Sequence, residues 1–283
     1  MATAQVSTLE EFITAIAVQG DTVICPEGAV WDANDVYPDG YTGDIAWKAH
    51  VQGNGTTIKN LRLYGYFYTD TSASRVQISS LRLIDLIGSR STYYFKQALF
   101  YGNYKFEDFT ATAVLNSAYP FFCNPKDDSS FSYQTQANRC SFNIDASGNF
   151  TIFSDGYTTN NSGHIYNSRI ELHLPNSTHA PFGNSMRFYN CELIAYAPNI
   201  SGTSVDSRMW SLYCMGCVIH GEMPTVRERA SSGTMQGDMT IYSTDAMPDF
   251  VPVDPIHFVG VTDAQLRDPS YLRGIGFPIA IEV

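Results

Sequence analysis

Charge is scarce in this chain, and positive charge most of all. Only 16% of the 283 residues are charged, with 17 Lys and Arg against 28 Asp and Glu, giving a formal net charge of −11 at pH 7. Helical proteins cover their exposed faces with Lys and Glu, so a mainly helical surface is not expected. A phosphate backbone would be repelled, and Arg227-Glu228-Arg229 is too short a run to offset that. Nucleic acid is therefore not an expected partner. Long apolar runs are also missing; none approaches the roughly 20 residues that span a bilayer, so membrane insertion is not expected. The opening Met1-Ala2-Thr3-Ala4-Gln5 lacks the pattern of a leader, which predicts synthesis in a cytoplasm without secretion.

Catalytic and metal motifs are equally thin. There is no Gly-x-Ser-x-Gly and no phosphate loop. The six His (50, 164, 173, 179, 220 and 257) show no metal spacing, and Asp32, Asp35, Asp39 and Asp44 do not meet the calcium-loop pattern. Asp127-Asp128 reads as a solvated turn, and Arg62 and Arg82 read as one exposed column without acidic partners. No cofactor is expected. Of the six Cys, Cys214-x-x-Cys217 is the one metal or redox lookalike; without a second pair, both read as small apolar fillers.

What the chain does hold is apolar and aromatic: 44% hydrophobic and 13% aromatic residues, with 18 Tyr, 17 Phe and 21 Gly. That mixture favours strands and turns over helix or disorder. A pattern of apolar, x, turn residue, apolar, x, apolar recurs seven times, beginning at Ile58, Ile78, Phe106, Ala137, Ile165, Phe188 and Cys214. Its turn column reads Asn60, Ser80, Asp108, Arg139, Asn167, Asn190 and Gly216, at spacings of 20 to 31 residues. That range signals a solenoid, and its spread excludes a strict-period array. Side chains alternate along a strand, so each copy reads as two inward-facing segments joined by a tight bend. Asn tolerates the left-handed backbone such a bend needs. One rung cannot bury its apolar face alone and needs neighbours above and below. The surplus residues become lateral loops, the longer ones over 89–105, 113–136 and 146–164.

Residues 1–28 read as a cap. Ser7 and Glu10 form a capping box, Leu9, Phe12, Ile13 and Ile16 share a helical face, and a short strand follows. The stretch "STLEEFITAIAVQGDTVICPEGAVW" resembles the opening of right-handed parallel β-helix proteins of the pectin-lyase-like kind. Residues 29–261 are then the β-helix with its loops. Residues 262–283 form a second cap, with Thr262 and Gln265 closing a box and Pro269 ending the helix. The stretch "QLRDPSYLRGIGFPI" resembles a tail found on β-helix proteins of tailed phages and prophages. Together they imply an all-β fold, a single-domain right-handed parallel β-helix capped at both ends.

The positive functional signal is aromatic. Tyr64, Tyr66, Phe67 and Tyr68 run together, as do Tyr93, Tyr94 and Phe95, then Phe100, Tyr101 and Tyr104. Half of such a run alternates into the core. The other half, with Tyr64, Tyr66, Tyr68, Tyr93, Tyr94 and Tyr101 as candidates, would form an outward face suited to sugars or to protein neighbours. The phage resemblance implies a non-enzymatic virion structural protein, either a head decoration or fibre or a tail attachment protein. Its expected partners are other virion proteins and a cell-surface glycan, and assembly as a homotrimer is implied by the same resemblance. The alternatives are a polysaccharide lyase or glycoside hydrolase, which would need a carboxylate pair or an Arg beside calcium ligands, and a carbohydrate-binding module.

Overall fold

The computed structural model describes residues 2–69, 75–88, 98–115, 121–123, 135–150, 152–154, 163–178, 181–182, 187–200, 213–223, 239–250, 252 and 256–277. The chain winds as a parallel β-solenoid whose strands fall on three faces. On the first face, Val23, Val51, Ile78, Phe106, Ala137, Ile165, Phe188 and Cys214 are successive register partners, and all are buried. On the second, Ile58, Leu83, Ala111, Phe142, Ile170, Leu193 and Ile219 stack in the same way. These two faces belong to one 18-stranded sheet, because the long strands His50–Lys59 and Val76–Gly88 bend through the corner between them. The third face is a separate sheet of short strands, Ile45–Ala46, Phe67–Tyr68, Phe100–Tyr101, Phe122–Cys123 and Phe153–Ser154.

The corner between the first two faces explains the repeat. Ser80, Asp108, Arg139, Asn167 and Asn190 all have φ between 47° and 53°, and Gly216 has φ 67°. A non-Gly residue pays about 1–2 kcal/mol for left-handed backbone, and side-chain ladders offset it. Asn167 Nδ2 donates to Asn138 Oδ1 at 2.9 Å, and Asn190 Nδ2 donates to Asn167 Oδ1 at 3.3 Å. Arg139 grips Asp108 through Nε and Nη2 at 2.7 and 2.9 Å. Gly216 ends the ladder: a Cβ there would stand 2.5 Å from Asn190 Oδ1. The residue after the bend closes it from inside. Ser168 Oγ donates to the Tyr166 carbonyl at 2.6 Å, and the thiols of Cys140 and Cys191 donate to Asn138 and Tyr189 carbonyls at 3.3 Å. Leu81 and Phe109 fill the same position in their rungs with apolar bulk instead.

The first copy of the repeat stands at a different corner. Ile58 pairs with Leu83, whereas Ile78 pairs with Val51. Asn60 (φ 60°) therefore stacks against Asp85 (φ 54°), with Asn60 N donating to Ile84 O at 3.0 Å. Asn60 Nδ2 also donates to both Asp32 carboxylate oxygens at 3.0 Å. The true counterpart of Ser80 is the Gly53-Asn54-Gly55 bend, where the register shifts between Gln52 and Thr56. A Cβ on Gly53 would collide with the Ser80 backbone. Arg62 and Arg82 consequently do not stack: Arg62 pairs with Ile87, and Arg82 with Thr57 and Thr110. Both remain exposed.

Inside, the third face contributes a column of rings. Phe67 and Phe100 stack at 4.9 Å and 21°, and Phe100 also meets Phe106 at 5.2 Å and Phe122 at 6.0 Å. The N-terminal helix α1 (Leu9–Ile16) covers this core, with Phe12 meeting Trp47 edge-on at 5.8 Å. Its N-cap is Thr8, whose hydroxyl accepts from Glu11 N; Ser7 N instead donates to Glu11 Oε2 at 2.7 Å. The helix thus starts one residue later than the sequence pattern placed it and without the reciprocal box, because Glu11 reaches back to Ser7 N rather than Thr8 N; Leu9, Phe12 and Ile16 are its buried residues. At the other end, α2 (Asp263–Leu266) has the expected Thr262–Gln265 box. Pro269 starts α3 (Pro269–Gly274) rather than ending a helix, because its fixed φ suits the first turn and Asp268 caps it. Leu272 and Phe277 then pack on Val261 and Ile241 of the last rungs.

Candidate functional site

The strand alternation that turns Phe67 and Phe100 inward turns Tyr66, Tyr68 and Tyr101 outward. Tyr68 and Tyr101 are register partners, and Tyr66 stands edge-on to both, with centroids 6.0 Å away at 62° and 72°. The cluster is anchored from below, where Asp44 Oδ1 accepts the Tyr66 N–H at 3.2 Å. Ala46 is the register partner of Tyr68 on the preceding rung. Tyr64 is 40% exposed and lies over Gly40, where a Cβ would come within 2.8 Å of its ring. The structure thus brings Tyr66, Tyr68 and Tyr101 together with Tyr64 close by in sequence. Tyr93 and Tyr94 lie outside the described residues. Tyr104 points inward and is fully buried. Phenol rings with outward hydroxyls can cover the C–H face of a sugar and hydrogen-bond its hydroxyls at once.

Two further outward clusters were not singled out from the sequence. On the first face, Tyr166 and Tyr189 are stacked at 4.8 Å and 11°, with His164 edge-on to both and its Nδ1 3.0 Å from Tyr166 Oη. Burial, then the charges of Arg187 and Arg75, push the His164 pKa down. On the second face, five side chains from three rungs form one chain of contacts. Arg169 Nη1 reaches Glu192 at 2.7 Å and its Nη2 reaches Glu171 at 3.0 Å. His173 Nε2 lies 3.1 Å from Glu171, and His220 Nε2 lies 2.9 Å from Glu192. His173 also stacks on Tyr196 at 4.8 Å.

This second-face pair of carboxylates bears on the enzyme alternative. Glycoside hydrolysis needs one carboxyl kept protonated as the acid. Here the His220 hydrogen bond and Arg169 lower the Glu192 pKa. Burial raises Glu171, but hydrogen bonds from Arg169 and His173 outweigh it and leave that pKa lowered too. Both are held as ionised, fully engaged carboxylates, which is the chemistry of an inter-rung clamp. The register builds it from positions two, four and six past the corner column: Arg169, Glu171 and His173, then Glu192, Ile194 and Tyr196, then Val218, His220 and Glu222.

Cys140, Cys191, Cys214 and Cys217 sit at repeat positions, and Cys25 follows the strand Thr22–Ile24. Cys25, Cys140, Cys191, Cys214 and Cys217 are buried and unbridged. Burial pushes Cys25 and Cys140 up to about 12. Among the described residues, no group of three or more His, Cys, Asp or Glu is arranged to hold a metal ion, and no helix is long and apolar enough to cross a membrane. No protein-family model matches the chain, and no curated protein matches it.

Proposed function

We propose that this chain is a non-enzymatic β-solenoid of the pectin-lyase-like, tailed-phage type. It is carried on the surface of a virion as a head decoration, fibre or tail attachment protein, and its third face holds a cell-surface glycan. The observation that carries the reading is the outward cluster of Tyr66, Tyr68 and Tyr101 on a rigid sheet whose inner side is a packed ring stack. A face fixed by strands keeps its rings in place and loses little side-chain entropy on binding. The phage assignment rests on the resemblance of the C-terminal segment, and the non-enzymatic one on the saturated carboxylates of the second face.

The test is retention on immobilised surface polysaccharide from candidate hosts, with the polymer's chain length measured before and after. Retention without shortening is expected, and Tyr66→Ala with Tyr101→Ala should weaken it at least tenfold, since each stacked ring contributes on the order of 1 kcal/mol. Shortening of the polymer would overturn the non-enzymatic reading. Equal retention by the double variant would overturn the tyrosine face as the site.

A further inference from the structure

The first face carries a cleft that the tyrosine reading does not use. It has a volume of ≈ 230 Å³ and crosses four successive strands, with Val51 and Ile78 along its floor. Its walls are two register columns of outward side chains. Gln77 and Lys105 are partners in one, and Gln52, Ser79 and Glu107 follow one another in the other. His50 stands at the head of the first column beside Thr22.

The hydrogen-bond polarity of each wall group can be worked out. The Gln77 backbone N–H donates to His50 Nδ1 at 3.0 Å. A backbone N–H can only donate, so Nδ1 is the bare nitrogen and the neutral ring carries its proton on Nε2. His50 therefore offers a donor. Ser79 Oγ donates to the Val51 carbonyl at 3.1 Å, which leaves its lone pairs as acceptors. Glu107 Oε1 accepts from Arg139 at 2.9 Å, while Lys105 Nζ is 3.8 Å from Glu107 Oε2, an ion pair without a hydrogen bond. Lys105 donors and one Glu107 oxygen are thus available to a ligand. Gln52 and Gln77 are both exposed, and each amide offers both roles.

Donors and acceptors are therefore mixed on both walls, and Lys105 and Glu107 bring opposite charges. That pattern matches vicinal hydroxyls, each of which donates and accepts. An anionic ligand would meet Glu107, and a cationic one would meet Lys105. The volume falls below the roughly 300–1,000 Å³ of sites for drug-sized ligands, so a single ring fits. We infer that this cleft is a binding site for one uncharged, hydroxyl-rich sugar ring, recognised through its hydroxyls, on a different face from the tyrosine cluster.

The experiment is a titration of the full chain, followed by backbone amide NMR. The probes are methyl α-D-glucoside, methyl α-D-mannoside, methyl β-D-galactoside and N-acetyl-D-glucosamine, with D-glucuronate as the charged comparison. At least one neutral sugar is expected to saturate, with shifts at Gln52, Gln77, Ser79 and Lys105. Gln77→Ala and Lys105→Met remove outward side chains, so both should keep the parent melting temperature. Each should weaken binding about fivefold, the effect of one lost hydrogen bond of about 1 kcal/mol. Absence of saturable shifts for every neutral sugar, tighter binding of glucuronate, or unchanged affinity in both variants would overturn the site. Shifts confined to Tyr66, Tyr68 and Tyr101 would also overturn it, while leaving the tyrosine reading in place.

Discussion

Gly216→Ala is the sharpest perturbation of the corner ladder. Gly216 has φ 67°, and a Cβ there would lie 2.5 Å from Asn190 Oδ1. Left-handed backbone costs an Ala about 1–2 kcal/mol relative to Gly. The Asn190 side chain must also turn away, and it then gives up its bond to Asn167, which contributes about 0.5–1.5 kcal/mol. The expected total is about 1.5–3.5 kcal/mol. Urea unfolding of parent and variant with a common slope reads it as a shift in midpoint. An Asn190→Gly background separates the two causes, because it keeps the left-handed bend and removes Oδ1. There Gly216→Ala should cost only the backbone part, about 1–2 kcal/mol. A cost below about 0.5 kcal/mol in the parent, or the same cost in both backgrounds, would refute the ladder as the reason for glycine at this position.

Three other outcomes follow from the same geometry. Leu81 is fully buried in the stack, so Leu81→Asp should lose several kcal/mol and fail to give a cooperative melt, whereas Arg82→Ala, on the exposed side, should stay within about 0.5 kcal/mol. The lowered carboxyls of Glu171 and Glu192 contribute stability that is complete above the ordinary Glu range of about 4.3 and is lost as pH falls through their folded values; Glu192→Gln should therefore flatten the fall in urea midpoint on acidification, and a slope equal to the parent's would contradict the clamp. All five thiols are buried away from reagent, so brief alkylation at pH 8 with mass mapping should leave Cys25, Cys140, Cys191, Cys214 and Cys217 unmodified in the native protein and modify them in urea.

Much of the fold was legible because the corner is encoded locally. Six of the residues that must adopt a left-handed bend stand at one point of the apolar pattern, and the structure stacks them from Ser80 to Gly216. The first copy misled because two corners of the same rung share the apolar-x-turn-apolar rhythm. The insertion at Gly53-Asn54-Gly55 hid the true counterpart, so Asn60 was matched to Ser80 when its neighbour is Asp85. The outward direction of Tyr66, Tyr68 and Tyr101 also followed from alternation against Phe67 and Phe100. Contacts between rungs were harder to see. Arg169 and Glu192 are 23 residues apart, and Glu192 and His220 are 28 apart, so unequal loops conceal what the register brings together. The first-face cleft has the same origin, since its walls come from strands that start at Thr22, His50, Val76 and Tyr104.

The claim that this scaffold presents a tyrosine face to a glycan is tested most directly by saturation-transfer NMR. Aromatic protons of the protein are irradiated in the presence of an oligosaccharide released from the host surface. Transfer to sugar ring protons is predicted for the parent, and its loss for the variant with Tyr66→Ala and Tyr101→Ala. Equal transfer in both proteins, or none from the parent with any host oligosaccharide, would contradict it.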